Sequence, residues 1–286
     1  MVTIEEKREI VKKLQKIKLP EQRTAEWYQM RENMITASDF GSILGKSKYN
    51  SRNSVLKQKC GIGAKFKGNE YTRWGTKYEE VATELYRIKY NTPVIEFGCL
   101  QHPKYSFIGA SPDGITPDGT MLEIKVPKTR KFEKNNIPPH YYHQMQGQLE
   151  VCGLYECDFL QCEINEYSTK KEYLDDNNTE FKGAIIEYID ENNELKFIYS
   201  KVNLNEKDLD KWINGNKIKL NTKSLICKNI SYWKIIRYCI DRVLKEDNWL
   251  ENSLPIFESF WKDVLYYRKH PDELNNKKKK IILDIS

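Results

Sequence analysis

Hydrophobic and polar positions repeat with two different periods along this chain. In the N-terminal third, apolar residues recur every three or four positions, as they do on the buried face of a helix. This period predicts helices over residues 4–17, from Thr36 to Leu44 and from Thr72 to Tyr90. A glycine or a proline follows each of the three segments, and both residue types are typical of helix ends.

The middle of the chain alternates apolar and polar positions, a pattern typical of strands that are buried on one face. The alternating segments are VIEFGCLQ, FIGASPDGIT, TMLEIKV, YECDFLQCEI and a hairpin over residues 185–203 that turns at residues 191–193. After residue 205 we predict helix to the end, since Trp233, Ile236 and Ile240 fall on one helical face. This succession predicts one α+β domain, with terminal helices packed on a central mixed β-sheet.

Composition narrows the class of protein. Of the 286 residues, 39% are hydrophobic and 31% charged. No stretch approaches the roughly 18 apolar residues that a membrane helix needs, and the first twenty residues lack the apolar segment of a signal peptide. We therefore expect an intracellular protein that is neither secreted nor bound to a membrane. The 47 Lys and Arg exceed the 41 Asp and Glu, and the net charge of +6 permits a polyanionic partner without requiring one.

Cysteine and histidine residues do not suggest a site of their own. The seven cysteines, an odd number, are typical of free thiols in a reducing compartment. Cys157 and Cys162 lie five residues apart in an alternating segment, which puts them on opposite faces of a strand and argues against a metal cluster. His140 and His143 have no nucleophile motif beside them, so a catalytic triad is not expected.

The segment IGASPDGITPDGTMLEIKVP carries the candidate chemistry. Its Pro-Asp-Gly at residues 117–119 is typical of a three-residue hairpin turn, in which Gly119 takes the left-handed conformation. The resulting register puts Asp113 directly opposite Glu123, at about 5 Å. Lys125 lies on the same face of the strand, about 7 Å from Glu123. Two facing carboxylates repel each other, and a bound divalent cation is the commonest reason for a fold to keep them.

This arrangement favours a metal site. Carboxylate oxygens are the ligands that Mg²⁺ and Mn²⁺ prefer, and a neighbouring lysine can orient or deprotonate a metal-bound water. Together they suit the metal-assisted hydrolysis of a phosphodiester. The alternative is a surface hairpin with an ordinary Glu–Lys pair, because the spacing P-D-x(9)-E-x-K is short enough to occur by chance.

Five blocks between residues 31 and 160 give the pattern a context. In chain order they are M-R-E-N-M-I-T-A-S-D-F, W-G-T-K-Y-E, G-A-S-P-D-G, L-E-I-K-V-P and Y-Y-H-Q-M-Q-G-Q-L. In this order they resemble the PD-(D/E)XK nucleases, specifically the lambda-exonuclease-like branch of YqaJ-type viral recombinases. The resemblance implies a restriction-endonuclease-like core over about residues 25–205. A C-terminal helical part over about residues 206–286 would pack on it, making residues 1–286 one nuclease domain.

The resemblance also implies roles for the residues of the hairpin. Asp113 and Glu123 would ligate catalytic Mg²⁺ or Mn²⁺, in all two ions, helped by the main-chain carbonyl of Ile124. Lys125 would position and activate the attacking water. Glu79, in the helix that begins near Thr72, would be a further acid near the metals, although a single helical Glu is more often simply solvated.

Four further residues take DNA-directed or supporting roles by the same resemblance. Gln144 would lie beside the site on a helix opened by two prolines, with Tyr141 one turn before it against the site or the substrate. Arg31 and Ser38 would grip a terminal 5′-phosphate, for which the planar guanidinium fork is well suited.

Three of these four positions also have an ordinary structural interpretation. Ser38 could instead cap a helix, and Tyr141 could belong to the core. Gln144, Gln146 and Gln148 could all be polar surface.

The sequence therefore predicts an Mg²⁺-dependent phosphodiesterase, most specifically a 5′-to-3′ exonuclease on linear double-stranded DNA. Such an enzyme would act in recombination, repair or viral genome processing, as a homo-oligomer and beside a protein that anneals single strands. The alternatives are an endonuclease or junction resolvase on the same core, and a non-catalytic DNA-binding protein.

Overall fold

The computed structural model describes residues 2–20, 24–62 and 68–274. Its helices are α1 (Ile4–Gln15), α2 (Ala25–Glu32), α3 (Ala37–Ile43), α4 (Arg52–Lys59), α5 (Glu70–Tyr90), α6 (Pro139–Cys152), α7 (Lys170–Asp175), α8 (Glu206–Thr222) and α9 (Trp249–Lys269). Its strands are β1 (Ile35–Thr36), β2 (Leu100–Gln101), β3 (Ile108–Ala110), β4 (Gly114–Ile115), β5 (Thr120–Lys125), β6 (Glu156–Tyr167), β7 (Lys182–Ile189), β8 (Leu195–Tyr199) and β9 (Ile226–Leu244).

Six strands form the main sheet, in the order β4-β5-β6-β9-β7-β8. The sheet is mixed, because β5 and β6 run parallel while every other neighbouring pair is antiparallel. A smaller sheet of order β1-β3-β2 lies beside it. The parallel pair β5–β6 requires a crossover, and α6 occupies it.

Helices cover both faces of the main sheet, and alternation along the strands divides the core between them. Met121 and Phe159 belong to the apolar cluster that includes α3, α6 and α9. Leu122 and Leu160 belong to the cluster on the other face, which includes α5. Cys157 and Cys162 are likewise split between the two clusters, so their predicted placement on opposite faces is confirmed.

The turn at residues 117–119 has the predicted form. Gly119 adopts a φ of +81°, and the main-chain N–H of Thr116 donates to the Thr120 carbonyl at 2.9 Å. Gly114 pairs with Leu122 and Ile115 with Met121, so the predicted register is confirmed. This register brings the residue just before β4 next to the middle of β5.

The three predicted N-terminal helices are present, each with a recognisable end. The Asn69 side chain accepts from the Thr72 N–H at 2.9 Å at the start of α5, and Asn91 ends that helix with a φ of +46°. Thr36 is the N-cap residue of α3, and its main-chain N–H donates to the Asp39 carboxylate at 3.0 Å. The interpretation of Ser38 as the cap is therefore wrong, because Ser38 lies inside the helix.

The predicted run of helix from residue 206 to the end is wrong over β9. α8 and α9 are helical as predicted, but the 19 residues of β9 between them form a strand in the middle of the sheet. Trp233 and Val243 are buried, whereas Ile236, on the same predicted helical face, is 45% exposed. The segment is rich in β-branched and aromatic side chains, which favour strands, and pairing with β6 and β7 satisfies its backbone on both sides.

A mixed β-sheet flanked by helices, with further helices near the C-terminus, confirms the predicted fold class. Of the helices that the structure describes, none is long and apolar enough to cross a membrane.

Candidate active site

The candidate site lies where β5 meets the chain just before β4. Glu123 is fully buried, and the Lys125 ammonium makes an ion pair with its Oε1 atom. Asp113 lies opposite, and its Oδ2 atom accepts a hydrogen bond from the Ile124 main-chain N–H at 2.6 Å. The structure thus brings together the two carboxylates and the lysine, on the face of β5 that the alternation assigns to them.

The site is rich in negative charge for its degree of burial. Burial raises the pKa of Asp113 well above its ordinary value, and the charges of Glu123 and then Glu79 raise it further. Burial alone would lower the pKa of Lys125, but the negative charges of Glu123 and Asp113 outweigh it and raise that pKa. Lys125 is therefore an ammonium that partly compensates a larger negative charge.

Glu79 reaches the site from α5, along an open cavity of about 690 Å³. The cavity is lined by Glu79 and Asp113, by the neighbouring acids Glu80 and Glu96, and by the chain that follows α1. Its acidic wall can attract cations and would repel a phosphate unless cations were bound.

The donor set fits a hard divalent cation. Within the described ranges, no three His, Cys, Asp or Glu side chains converge closely enough to form a complete metal site on their own. Mg²⁺ typically takes one or two protein carboxylates and keeps several water ligands, so a partial set of this kind suits it. All the candidate side-chain donors are oxygens, which also argues against zinc held by cysteine or histidine.

Helix α6 contributes amides to the site. The helix begins at Pro139, a position at which proline costs no hydrogen bond. Gln144 donates through Nε2 to Glu123 Oε1 at 2.7 Å, and Gln148, one turn later, donates to Oε2 at 2.8 Å. The Tyr141 ring centroid lies 5.1 Å from the Lys125 Nζ atom.

The alternative that these glutamines form polar surface is wrong for two of the three. Gln146 and Gln148 are both fully buried. Gln146 bonds the Leu244 carbonyl and the Glu246 N–H at the end of β9, at 2.8 and 2.9 Å, whereas Gln148 contacts Glu123.

Arg31 and Ser38 lie together on a neighbouring wall. The Arg31 guanidinium donates to Ser111 Oγ and Thr36 Oγ1, both at 3.3 Å, and to Ser38 Oγ at 3.5 Å. It also stacks on the Trp27 ring, 4.5 Å from the centroid. Because Ser111 precedes Asp113 by only two residues, this group of donors is connected directly to the candidate carboxylates.

The acid nearest to Arg31 is neutralised by a separate lysine. Burial alone would raise the pKa of Asp39, but the Lys59 ammonium at 3.0 Å, with help from the Thr36 N–H, lowers it. Because Lys59 compensates Asp39, the Arg31 charge remains available for an anion.

The sequence does not predict the roles of two residues, one beside Glu123 and one that supports the fold. The sequence leaves Gln148 as a candidate for polar surface. Its spacing of four residues from Gln144, however, indicates that both side chains lie on the same face of one helix. Lys77, in the block W-G-T-K-Y-E, is buried and bonded to Glu166, Glu187 and Ser231 at 2.5 to 2.7 Å, so this block contributes to the fold as well as carrying Glu79.

The histidines make no contact with the carboxylates. His143 Nδ1 accepts from Trp249 Nε1 at 2.9 Å. His140 Nε2 is buried without a partner in the described chain, and burial lowers the His140 pKa to about 4.

The order and spacing of these features can be compared with known proteins. Residues 26–155 match the family described as the YqaJ-like viral recombinase domain. Over this segment, which is 130 of the 286 residues, the chain is similar to that family. Arg31, Ser38, Glu79, the β5 residues and α6 all lie within the matched segment, whereas β9, α8 and α9 lie outside it.

The curated relatives are viral. The chain is 30% identical over 305 residues to uncharacterized protein R354 of Acanthamoeba polyphaga mimivirus, covering 92% of this chain and 56% of that protein. It is 26% identical over 190 residues to protein D345L of African swine fever virus, strain Badajoz 1971 Vero-adapted, covering 54% of each. The chain therefore spans about half the length of the curated relatives it matches.

Comparison with solved structures shows which known proteins have a similar fold. The alkaline exonuclease LHK-Exo from Laribacter hongkongensis is 20% identical, with a TM-score of 0.52 over 90% of this chain and 100% of that one. The same protein has been solved in complex with dAMP, with the same TM-score. At this identity the likeness concerns the fold alone, and it confirms the restriction-endonuclease-like core.

Proposed function

We propose that this chain is a metal-dependent DNA nuclease whose single catalytic centre is built on β5. The observation that carries the proposal is the placement of Asp113 near the fully buried Glu123, accompanied by Lys125 on the same strand face as Glu123. A fold does not retain this excess of buried negative charge for stability, and a cation relieves it.

The metal-binding residues in this proposal are Asp113, Glu123, the main-chain carbonyl of Ile124 and Glu79. They would hold two Mg²⁺ or Mn²⁺ ions, which when bound stabilise the charge that develops on the scissile phosphodiester. Lys125 holds its proton beside Glu123 and donates a hydrogen bond to the attacking water or to a phosphate oxygen.

Two residues of α6 support the carboxylates and the lysine. Gln144 donates to Glu123 and keeps its carboxylate turned toward Lys125. The Tyr141 ring lies over the Lys125 ammonium and limits the space in which it moves.

The group around Arg31 supports recognition of a 5′ end. Arg31, Ser38, Thr36 and Ser111 place a guanidinium and three hydroxyls around one point. A terminal phosphate offers more acceptor oxygens than an internal one, and a planar guanidinium binds two of them at once. Stacking on Trp27 holds that plane fixed. We therefore propose 5′-to-3′ digestion of linear double-stranded DNA.

The proteins that this chain resembles support the proposal of DNA cleavage. One structural neighbour is an alkaline exonuclease that was crystallised with dAMP, and the matched family is a viral recombinase domain. We propose recombination, repair or viral genome processing inside the infected cell as the setting. A homo-oligomer and a protein that anneals single strands are the proposed partners besides DNA.

The test uses end-labelled linear duplex with either a 5′-phosphate or a 5′-hydroxyl, and closed circular duplex, each with Mg²⁺ or with EDTA. We expect digestion of linear DNA with Mg²⁺ only, faster for phosphorylated ends, and no digestion of circles. The change Arg31→Ala should remove a preference of about 30- to 150-fold, the value of one bidentate charge-assisted contact. Arg31→Lys should restore part of it, because an ammonium cannot reproduce the fork.

Arg52→Ala is the matched control, since Arg52 is half-exposed and pairs with Asp263 at 2.7 Å, on α9 and away from the carboxylates. Its 5′-phosphate preference should equal that of the wild type. Rapid cutting of circles, without any effect of the terminal phosphate, would favour the endonuclease or junction resolvase instead. Metal-independent DNA binding without cleavage would favour the non-catalytic alternative.

A further inference from the structure

Gln148 contacts Glu123 from the interior of the protein. Its side chain is fully buried, in the last two turns of α6. Its Nε2 atom donates to Glu123 Oε2 at 2.8 Å and to the Ser111 main-chain carbonyl at 3.3 Å. Both amide protons are therefore directed at acceptors that belong to the carboxylate site.

The orientation of this amide is determined by its neighbours. If the amide were flipped, its oxygen would face a carboxylate oxygen and a carbonyl oxygen, neither of which can donate. In the observed orientation, Gln148 Oε1 is buried and has no hydrogen-bond partner within the part of the chain that the structure describes. The site thus keeps a buried acceptor unsatisfied while both Gln148 protons are used, which is uncommon in folded proteins.

The two oxygens of Glu123 have different surroundings. Oε1 contacts Lys125 and Gln144, both of which are partly exposed, so this oxygen lies on the outer side of the carboxylate. Oε2 contacts Gln148, which is fully buried, so this oxygen lies on the inner side. A hydrogen bond to the inner oxygen opposes rotation of the carboxylate about its last torsion angle, and it leaves the outer oxygen directed at Lys125 and Gln144.

Gln148 is also connected to the wall that carries Arg31. The Ser111 residue whose carbonyl accepts from Gln148 is the one whose hydroxyl accepts from Arg31. The amide therefore fixes Glu123 relative to the chain that leads into Asp113, and both carboxylates share one rigid support.

We propose that Gln148 is a positioning residue that holds the Glu123 carboxylate in the orientation required to bind a divalent cation. This inference rests on the proposed function, since it takes Glu123 to be a metal ligand. Hydrogen-bond partners behind metal ligands are commonly worth about 10- to 100-fold in metal affinity.

The experiment measures Mn²⁺ binding to the full chain by isothermal titration calorimetry, without DNA. Gln148→Met keeps the volume and removes both donors, and we expect it to raise the Mn²⁺ dissociation constant by about 10- to 100-fold. The Mg²⁺ concentration for half-maximal DNA cleavage should rise in the same proportion. DNA affinity measured in EDTA should stay the same.

Gln146→Met is the matched control. Gln146 lies on the same helix and is equally buried, but its two hydrogen bonds are to the main chain of Leu244 and Glu246. It should lose stability in urea denaturation and keep the wild-type Mn²⁺ dissociation constant. If Gln148→Met does not fold, Gln148→Asn keeps the amide but is one methylene too short to reach Glu123, and it should weaken Mn²⁺ binding in the same way.

Wild-type Mn²⁺ affinity in a folded Gln148 variant, or an equal loss of affinity in Gln146→Met, would overturn the inference. Glu123→Gln separates this failure from failure of the proposed function. If Glu123→Gln weakens Mn²⁺ binding and the Gln148 variants do not, only the role of Gln148 is wrong. If Glu123→Gln also binds Mn²⁺ normally, the metal site itself is wrong.

Discussion

Two clusters in this protein combine a largely buried lysine with acidic side chains, and they differ in how completely the charges are satisfied. The active-site cluster consists of Asp113, Glu123 and Lys125. The Lys77 cluster consists of Lys77, Tyr78, Glu166, Glu187 and Ser231. Both lie against the main sheet, within the reach of α5. From residue types alone they look alike.

The Lys77 cluster is electrostatically satisfied. Burial would raise the pKa of Glu166, but hydrogen bonds from Lys77 and from Tyr78 outweigh it and lower that pKa. Burial raises the pKa of Tyr78, and its hydrogen bond to Glu166 raises it further, so the hydroxyl remains a donor. The Lys77 ammonium uses its three protons on three oxygens. Such a cluster has no vacancy for a ligand.

The active-site cluster is not satisfied in this way. The pKa of Asp113 is raised rather than lowered, because its burial and two neighbouring carboxylates outweigh one lysine and one main-chain N–H. The two clusters thus differ in the direction in which the carboxyl pKa moves, and the uncompensated cluster is the one that borders a cavity. Under the proposed function, a bound cation would compensate this negative charge.

The largest expected difference between the two clusters appears when one acid in each of them is neutralised. We expect Glu123→Gln to reduce cleavage of linear duplex by at least about 1000-fold, because it removes a metal ligand and keeps the side-chain shape. Glu166→Gln, in the Lys77 cluster, should keep the wild-type rate per folded molecule. Cleavage rates with saturating Mg²⁺ measure the effects of both substitutions. Comparable losses of activity in the two variants would contradict the distinction between a catalytic and a structural cluster.

Removing Lys77 tests whether the Lys77 cluster stabilises the fold. Lys77→Met leaves Glu166 and Glu187 without their cation, and we expect a loss of about 1–3 kcal/mol in the free energy of unfolding, because Glu166 is partly exposed and screened by solvent. Urea denaturation measures this loss. We expect the folded fraction of this variant to cleave DNA normally. A stable Lys77→Met protein would mean that its cluster does not support the fold.

A smaller effect of opposite sign is expected at Asp113. In EDTA, Asp113→Asn should stabilise the protein by about 1 kcal/mol, since it removes a repelled charge and keeps an acceptor for the Ile124 N–H. For a chain of this size that is about 2 °C in Tm. Thermal unfolding should show that Mg²⁺ raises the Tm of the wild type more than that of Asp113→Asn. Destabilisation of the metal-free variant would show that Asp113 is not repelled.

The smallest expected effect is in the pH dependence of stability. Because folding lowers the pKa of Glu166, this group stabilises the protein above its ordinary pKa of 4.5, and the contribution disappears as the pH falls below that value. The raised pKa of Asp113 acts in the reverse sense, so its destabilising charge is removed as the pH falls.

Unfolding free energies of the wild type, Glu166→Gln and Asp113→Asn in EDTA, from pH 7 to about pH 3, measure both contributions. The difference in unfolding free energy between the wild type and Glu166→Gln should decrease toward low pH. The difference between the wild type and Asp113→Asn should decrease as well. Each is expected to be about 1 kcal/mol or less, because solvent screens partly exposed groups. Gaps that stay constant with pH would mean that neither carboxyl changes its pKa on folding.

The predictable part of the site depends on local geometry. The turn at residues 117–119 and the strict alternation of β5 together fix the positions of Asp113, Glu123 and Lys125, and no distant contact is needed to place them. Helix α5 was predictable for a similar reason, because its apolar positions keep one period over five turns. What the family resemblance adds is Arg31, whose contact with Ser111 joins residues 80 positions apart.

The unpredicted part depends on tertiary contacts. In β9, large apolar residues fall at intervals of three and four as well as two, and two bulges interrupt the alternation of the ladder to β6 and to β7. Gln148 is polar, and only the buried carboxylate that it contacts explains why it lies in the core. A residue that satisfies a distant partner carries no local periodic signal.

The position of β9 has a consequence for how the chain folds. The strand pairs with β6 on one side and β7 on the other, so it joins the half of the sheet that carries the carboxylates to the outer hairpin. Residues 226–244 leave the ribosome long after those of β5, and the pairing of distant segments is slow. Until β9 is inserted, β6 presents an unpaired edge. Synthesis of the last quarter of the chain therefore sets the earliest moment at which the sheet supporting the active site is complete.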